Sequence, residues 1–215
     1  KGEYLFFVNN DVILSENTIE NLLKTFKNHK NIGVVSPKHY KYGNEKILDY
    51  AGTTNINFIT GRNRAIGFNE IDKGQFNTPT ETFFCHGAAM MVPKKIIKEI
   101  GMIPENYFLY YEEIEWCEII RDKGYKIFYQ PNSYIYHKIS GTIGQDSLLK
   151  VYYMNRNRIL FMKRNKSIFP FILFFMLISF PKKVFSYTLS KKYKHLKYYF
   201  LGVFWNFGLK IKPKF

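Results

Sequence analysis

Apolar residues fall in short runs between polar, glycine-spaced stretches, and the period of each run predicts its element. Tyr4-Leu5-Phe6-Phe7-Val8 is continuous and aromatic, which predicts a buried strand over residues 3–8. Ser15 opens a helix that carries Leu22, Leu23 and Phe26 inward and ends within residues 28–31. Ile32-Gly33-Val34-Val35-Ser36-Pro37 is a second strand; with a helix between them, the two strands run parallel as a βαβ unit. Residues 38–81 are polar and weakly patterned, with a slight alternation over 50–59 that would suit a hairpin. Met90-Met91-Val92 is a buried strand stopped by Pro93, and residues 94–100 form a short helix closed by Gly101. A further helix ends at Lys123-Gly124, followed by strands over 124–131, closed by Pro131, and over 134–137. Residues 138–144, with Gly141 and Gly144, read as a mobile loop.

Charge divides the chain in two. From Ser147 onward there is no Asp or Glu, whereas fifteen of the 32 Lys and Arg lie there. The other seventeen basic residues balance all 17 acidic ones. A neutral α/β part over residues 1–149 therefore carries a cationic tail over 150–215, which calls for an anionic partner surface. Within the tail a basic amphipathic helix starts at Asn155. Residues 168–180 are thirteen uncharged positions bounded by Lys166 and Lys182, short of the roughly 20 that span a bilayer. Residues 198–209 form a second apolar, aromatic segment. Such segments suit helices lying in a membrane interface, with packing on the globular part as the alternative. A nucleic-acid-binding tail would be less apolar and richer in Arg and Gly, so none is expected as a partner. Cys85 and Cys117 stand in no metal-like or disulfide-like spacing and fit a reducing compartment. The chain starts with Lys1 and passes at once into an apolar run, which reads as a fragment lacking its first strands.

The candidate chemistry gathers around Tyr110-Tyr111-Glu112-Glu113-Ile114-Glu115-Trp116. Three carboxylates within four positions raise one another's pKa, and a carboxylate so tuned beside aromatic walls suits a general base. An acidic helix N-terminus would show the same run, since carboxylates favour the positive end of the dipole. Asn9-Asn10-Asp11 follows the first strand, where an acid is well placed for a divalent cation, although Asn-Asn-Asp is also a common turn. His137, at a strand end before a glycine loop, fits a metal ligand under a lid. His86, alone in an apolar strand, reads as packed rather than functional.

Taken in order, Phe6-Phe7-Val8-Asn9-Asn10-Asp11, Ile32-Gly33-Val34-Val35-Ser36-Pro37, Gly87-Ala88-Ala89-Met90-Met91-Val92, the acidic stretch, Gly124-Tyr125-Lys126-Ile127, Tyr136-His137 and Tyr152-Tyr153-Met154-Asn155-Arg156-Asn157-Arg158 resemble a family 2 glycosyltransferase of the rhamnosyltransferase-like kind, over about residues 3–165. The resemblance implies a GT-A fold, a Rossmann-like and mostly parallel sheet binding a nucleotide sugar, with a helical membrane-associated tail. It implies Asp11 and His137 as ligands of Mn²⁺ or Mg²⁺, Asp11 being the one acid where the family has Asp-x-Asp. It implies Glu113 as catalytic base, and Asn9, Asn10, Gly87, Glu112 and Trp116 as donor- or acceptor-binding residues. By their own chemistry Tyr110, Tyr111 and Trp116 suit stacking on sugar rings, with packing in an aromatic core as the alternative. The implied activity is inverting transfer from a nucleotide-sugar donor to a saccharide or polyprenyl-linked acceptor, in surface polysaccharide synthesis at the cytoplasmic face of the cell membrane. The contrasting reading, motivated by Asn9, is a non-catalytic membrane-docking protein with a degenerate transferase domain.

Overall fold

The computed structural model describes residues 2–138, 147–165, 168–211 and 213, so the expected loop over 138–144 lies almost wholly outside the described residues. The described residues form two compact units. One draws on 1–55, 63–104 and 113–140, the other on 56–62, 105–112 and 141–215.

The first unit is a seven-stranded sheet with helices. Its strands are β1 (Tyr4–Val8), β2 (Val12–Leu14), β3 (Ile32–Lys41), β4 (Asn44–Tyr50), β5 (Thr80–Thr82), β6 (Ala89–Pro93) and β7 (Lys126–His137). Its helices are α1 (Thr18–Asn28), α2 (Lys94–Ile100) and α3 (Glu112–Asp122, all but its first residue). The order is β1-β6-β3-β7-β2, with β4 joining β3 and β5 joining β7. Strands β3 and β7 form the centre; β3 is buried over residues 32–39 and β7 over 127–131, beyond which β7 alternates between buried and exposed positions.

The sheet is not mostly parallel. Among the described residues only β3 and β7 pair in parallel; the other pairings are antiparallel. Strands β1 and β3 do run the same way, as the βαβ reading expects, but β6 lies between them and opposes both. Beyond its single pairing with β6 at Val35, that edge of β3 is taken by β4, which folds back through Tyr42 and Gly43 (φ 77°). The two strands expected over 124–131 and 134–137 are one strand, β7. Pro131 does not end it, because the register with β3 shifts there from Pro37↔Gln130 to Lys38↔Tyr134 and leaves the proline outside the ladder.

The helix α1 buries Leu22 against Ile32, Val35, Met91 and Phe128, with Tyr4, Phe6, Leu23 and Phe26 around them. The next residue of β7, Tyr129, packs instead with Tyr50 and Ala51, as the period of a strand requires. At Gly33 a Cβ would collide with Ile120 of α3 and stand 2.9 Å from Tyr125 Cβ. The absent side chain lets α3 lie close on β3.

In the second unit the basic helix starts before Asn155: α4 is Leu148–Asn165. The apolar segment also exceeds the expected thirteen residues. The helix α5 (Ile168–Phe174), a π-helical turn (Phe175–Ser179) and α6 (Phe180–Leu189) form one helix of 22 residues, long and apolar enough to cross a membrane by length and composition. Lys182 and Lys183 do not end it. The last helix, α7 (Tyr193–Trp205), lies against α4, where a Cβ on Gly202 would be 2.5 Å from Tyr152 O.

Candidate active site

Strand β1 delivers the chain to Asn9, whose N–H donates to Ala88 O at 3.0 Å. Asn9 and Asn10 are exposed, and Asp11 is half-buried. The next residue, Val12, pairs with His137, and Lys138 N–H donates to Asp11 O at 2.8 Å. Backbone pairing of β2 with the end of β7 therefore brings Asp11 and His137 together. Their side chains meet with Nε2 to Oδ2 at 3.6 Å.

His137 has a second carboxylate partner. Its Nδ1 is 2.8 Å from Oδ2 of Asp49, which is 5% exposed. Burial alone would depress the His137 pKa, but the hydrogen bond and charge of Asp49, joined by the charge of Asp11, outweigh it and raise it. Burial likewise pushes the Asp49 carboxyl up, yet the His137 hydrogen bond and the charges of His86, His137 and Lys41 bring it below the usual range. With Nδ1 donated to Asp49, Nε2 is left to face Asp11, the arrangement by which a carboxylate fixes a metal-binding histidine.

Two further histidines adjoin this pair. The ring of His86 is 5.5 Å from that of His137 and 4.9 Å from that of His39. His39, on β3, is wholly buried. Burial first, then the charges of His86 and His137, hold its pKa well below normal. His86 is depressed as well, chiefly by burial, with Asp49 pulling the other way. Sequence reasoning missed His39 and Asp49, which lie within the weakly patterned stretch over 38–81, and set His86 aside as packed. No local signal marks them: His39 lies in β3 and Asp49 in β4, and the pairing of those two strands makes them neighbours.

Glu113 stands half-buried at the start of α3, beside Gly87. A Cβ there would sit 3.8 Å from Glu113 Cγ, so the glycine leaves open the space next to the carboxylate. Glu112 is also half-buried; its pKa is raised mainly by burial, the lowering effect of its own backbone N–H being smaller. The raised carboxyl expected from crowding is thus present at Glu112, but with desolvation as its cause. Trp116 does not offer a sugar-stacking face: it is 0% exposed, meets Phe7 edge-on at 5.5 Å and donates Nε1–H to Gly101 O at 3.1 Å. Glu115 and Glu118 are buried too, Glu118 pairing with Arg121 at 3.2 Å, so α3 is no solvated acidic face.

The loop before α3 belongs to the second unit. Phe108, Tyr110 and Tyr111 all have φ between 65° and 75°, a left-handed conformation costly for aromatic residues. Asn157 of α4 holds this loop, its Nδ2 donating to the carbonyls of Tyr107, Leu109 and Tyr110 at 3.0, 2.7 and 2.8 Å. Arg156 adds bonds to the carbonyls of Asn106 and Tyr107. Tyr111 is buried, with its hydroxyl donating to Gly61 O at 2.8 Å. It packs rather than stacks on a ligand.

Known proteins resemble this chain in part. Residues of the described chain superpose on GalNAc-T7, solved with UDP, GalNAc and Mn²⁺, with a TM-score of 0.51 over 83% of this chain and 40% of that one, at 12% identity. The sheet resembles a glycosyltransferase fold. The low-salt glycan biosynthesis hexosyltransferase Agl10 of Haloferax volcanii is 35% identical over 54 residues, 25% of this chain. The match takes in 18% of that relative's length. Against protein-family models, no family matches. These likenesses support a glycosyltransferase-like chain at a coarse level.

Proposed function

We propose that this chain is the catalytic part of an inverting family 2 glycosyltransferase. In this reading it moves a sugar from a nucleotide-sugar donor to a hydroxyl of a saccharide or lipid-linked acceptor, in surface polysaccharide synthesis. The observation that carries the reading is the meeting of Asp11 and His137 at 3.6 Å, with Asp49 fixing the histidine from behind. That separation fits two ligands of one ion with bonds of about 2.1 Å, so the residues present suit Mn²⁺ or Mg²⁺. When bound, the ion would stabilise the charge on the departing nucleoside diphosphate.

The remaining chemistry falls to the chain. Glu113 takes the proton of the acceptor hydroxyl as that oxygen attacks the anomeric carbon, and the bond from that carbon to the diphosphate oxygen breaks on the opposite face. Gly87 leaves room for the acceptor beside Glu113, and the exposed amides of Asn9 and Asn10 are free to bind the donor's ribose or phosphates. Glu112, kept protonated to higher pH by burial, is able to donate to an acceptor oxygen. Membrane association completes the reading. Phe169, Leu177, Phe185 and Leu189 stand 68–73% exposed on the long apolar helix, in a segment without acids. An anionic cytoplasmic leaflet would accept both features.

The test is release of nucleoside diphosphate from a panel of UDP-, dTDP- and GDP-sugars, with membranes containing polyprenyl phosphate, in Mn²⁺ and in EDTA. Metal-dependent release from one donor, reduced on the order of 10²–10⁴-fold in Glu113→Gln, is the expected result. No release from any donor, with lipid binding retained, would instead favour the docking reading that Asn9 motivates.

A further inference from the structure

The Asp11–His137 pair leaves one buried group without a role. His39 is 0% exposed and neither of its ring nitrogens has a hydrogen-bond partner among the described residues. A buried imidazole normally satisfies at least one nitrogen, because leaving it bare forfeits the hydrogen bond water would have given. Its surroundings are not apolar. One ligand atom from each of His39, Asp49 and His86 lies within 4.8 Å of the other two.

We propose that His39, Asp49 and His86 form a second divalent-cation site, of the zinc type, beside the Asp11–His137 pair. Two imidazoles and a carboxylate are a donor set for a borderline ion such as Zn²⁺ or Co²⁺ rather than for Mg²⁺. Zinc ligands lie roughly 3.3 Å apart, so the ion draws these side chains in by up to about 1.5 Å from their present separation. His86 Nδ1 accepts the Ala88 N–H at 3.1 Å, so binding through Nε2 moves the ring proton to Nδ1 and gives up that one contact.

The three ligands come from β3, from β4 and from the segment entering β6, so the ion ties together stretches distant in sequence. Asp49 already receives His137 on Oδ2. The site therefore also anchors the carboxylate that orients His137. His86 is only half-buried, which gives the ion its way in. None of this depends on the transferase reading.

The experiment titrates the full chain, freed of metal with EDTA, with Co²⁺, reading the visible d–d absorption and the rise in melting temperature. His39→Gln, His86→Gln and Asp11→Asn are compared, with circular dichroism reporting that each is folded. The expected result is about two equivalents in the parent, with the zinc-type cobalt band and its thermal stabilisation kept in Asp11→Asn and lost in both histidine variants. Because His86 is half-buried, its variant retains a reading even where His39→Gln does not fold. One equivalent kept in Asp11→Asn but lost in His86→Gln would uphold this site while telling against the Asp11–His137 ion. No cobalt band, a band indifferent to His86→Gln, or a single equivalent lost equally in Asp11→Asn and His86→Gln would overturn the proposal.

Discussion

Replacing Asn157 with alanine isolates what holds the left-handed loop before α3. The amide serves the carbonyls of Tyr107, Leu109 and Tyr110, of which Tyr107 O keeps a bond from Arg156 at 3.3 Å. Two carbonyls are therefore stripped of their donor, at about 1–3 kcal/mol each if water does not reach them. They sit where three aromatic residues hold positive φ, so the loop has strain to release once the amide is gone. Allowing for partial hydration, the net loss is about 2–4 kcal/mol. For a chain of this size that lowers the melting temperature by roughly 4–16 °C. Calorimetry of the parent, Asn157→Ala and Asn157→Asp reads it out. The aspartate keeps the shape but turns a donor into an acceptor facing three carbonyls, so it must be the worse of the two. A melting temperature unchanged in Asn157→Ala, or Asn157→Asp milder than Asn157→Ala, would refute the donor argument and leave packing as the role of this residue.

Three other outcomes follow from the same structure. Gly33→Ala drives a methyl into Ile120 and to 2.9 Å from Tyr125 Cβ, and is expected to cost about 1–3 kcal/mol by chemical denaturation; a neutral effect would mean α3 shifts freely on β3. The His137–Asp49 pair stabilises the fold in a pH window. His137, raised in the fold, contributes fully below its unfolded pKa of about 6.5 and loses this as pH rises through its higher folded value. Asp49, depressed in the fold, contributes above its unfolded value of about 3.9 and loses this as pH falls through the folded one. In EDTA, the stability gap between the parent and Asp49→Asn should thus be widest between about pH 4 and 6.5, and a gap that grows steadily toward pH 9 would contradict the linkage. Leu177→Asp, at a side chain 68% exposed, should leave the melting temperature within about 1 °C yet weaken co-sedimentation with anionic vesicles roughly tenfold or more; unaltered binding would remove the long helix from the membrane-facing surface.

Local chemistry determined the elements that local chemistry can reach. The apolar runs at Tyr4–Val8 and Ala89–Pro93, the helix Lys94–Ile100 with Gly101 behind it, and the helix Thr18–Asn28 were legible because period, punctuation and burial agree within a few residues. Asp11 and His137 were legible as candidates because one lies just past a strand end and the other at one. What joins them is the antiparallel pairing of β2 with β7, invisible in a three-residue strand. Tertiary structure alone decided the direction of the sheet, since β6 inserts between β1 and β3 through contacts remote in sequence. It also decided the fate of Trp116 and Glu115, whose types suggested a site but whose positions on α3 face the core. The cluster of His39, Asp49 and His86 marks the boundary most clearly. No spacing or motif connects these residues, and they become one electrostatic unit only where a hairpin, a central strand and the approach to β6 converge.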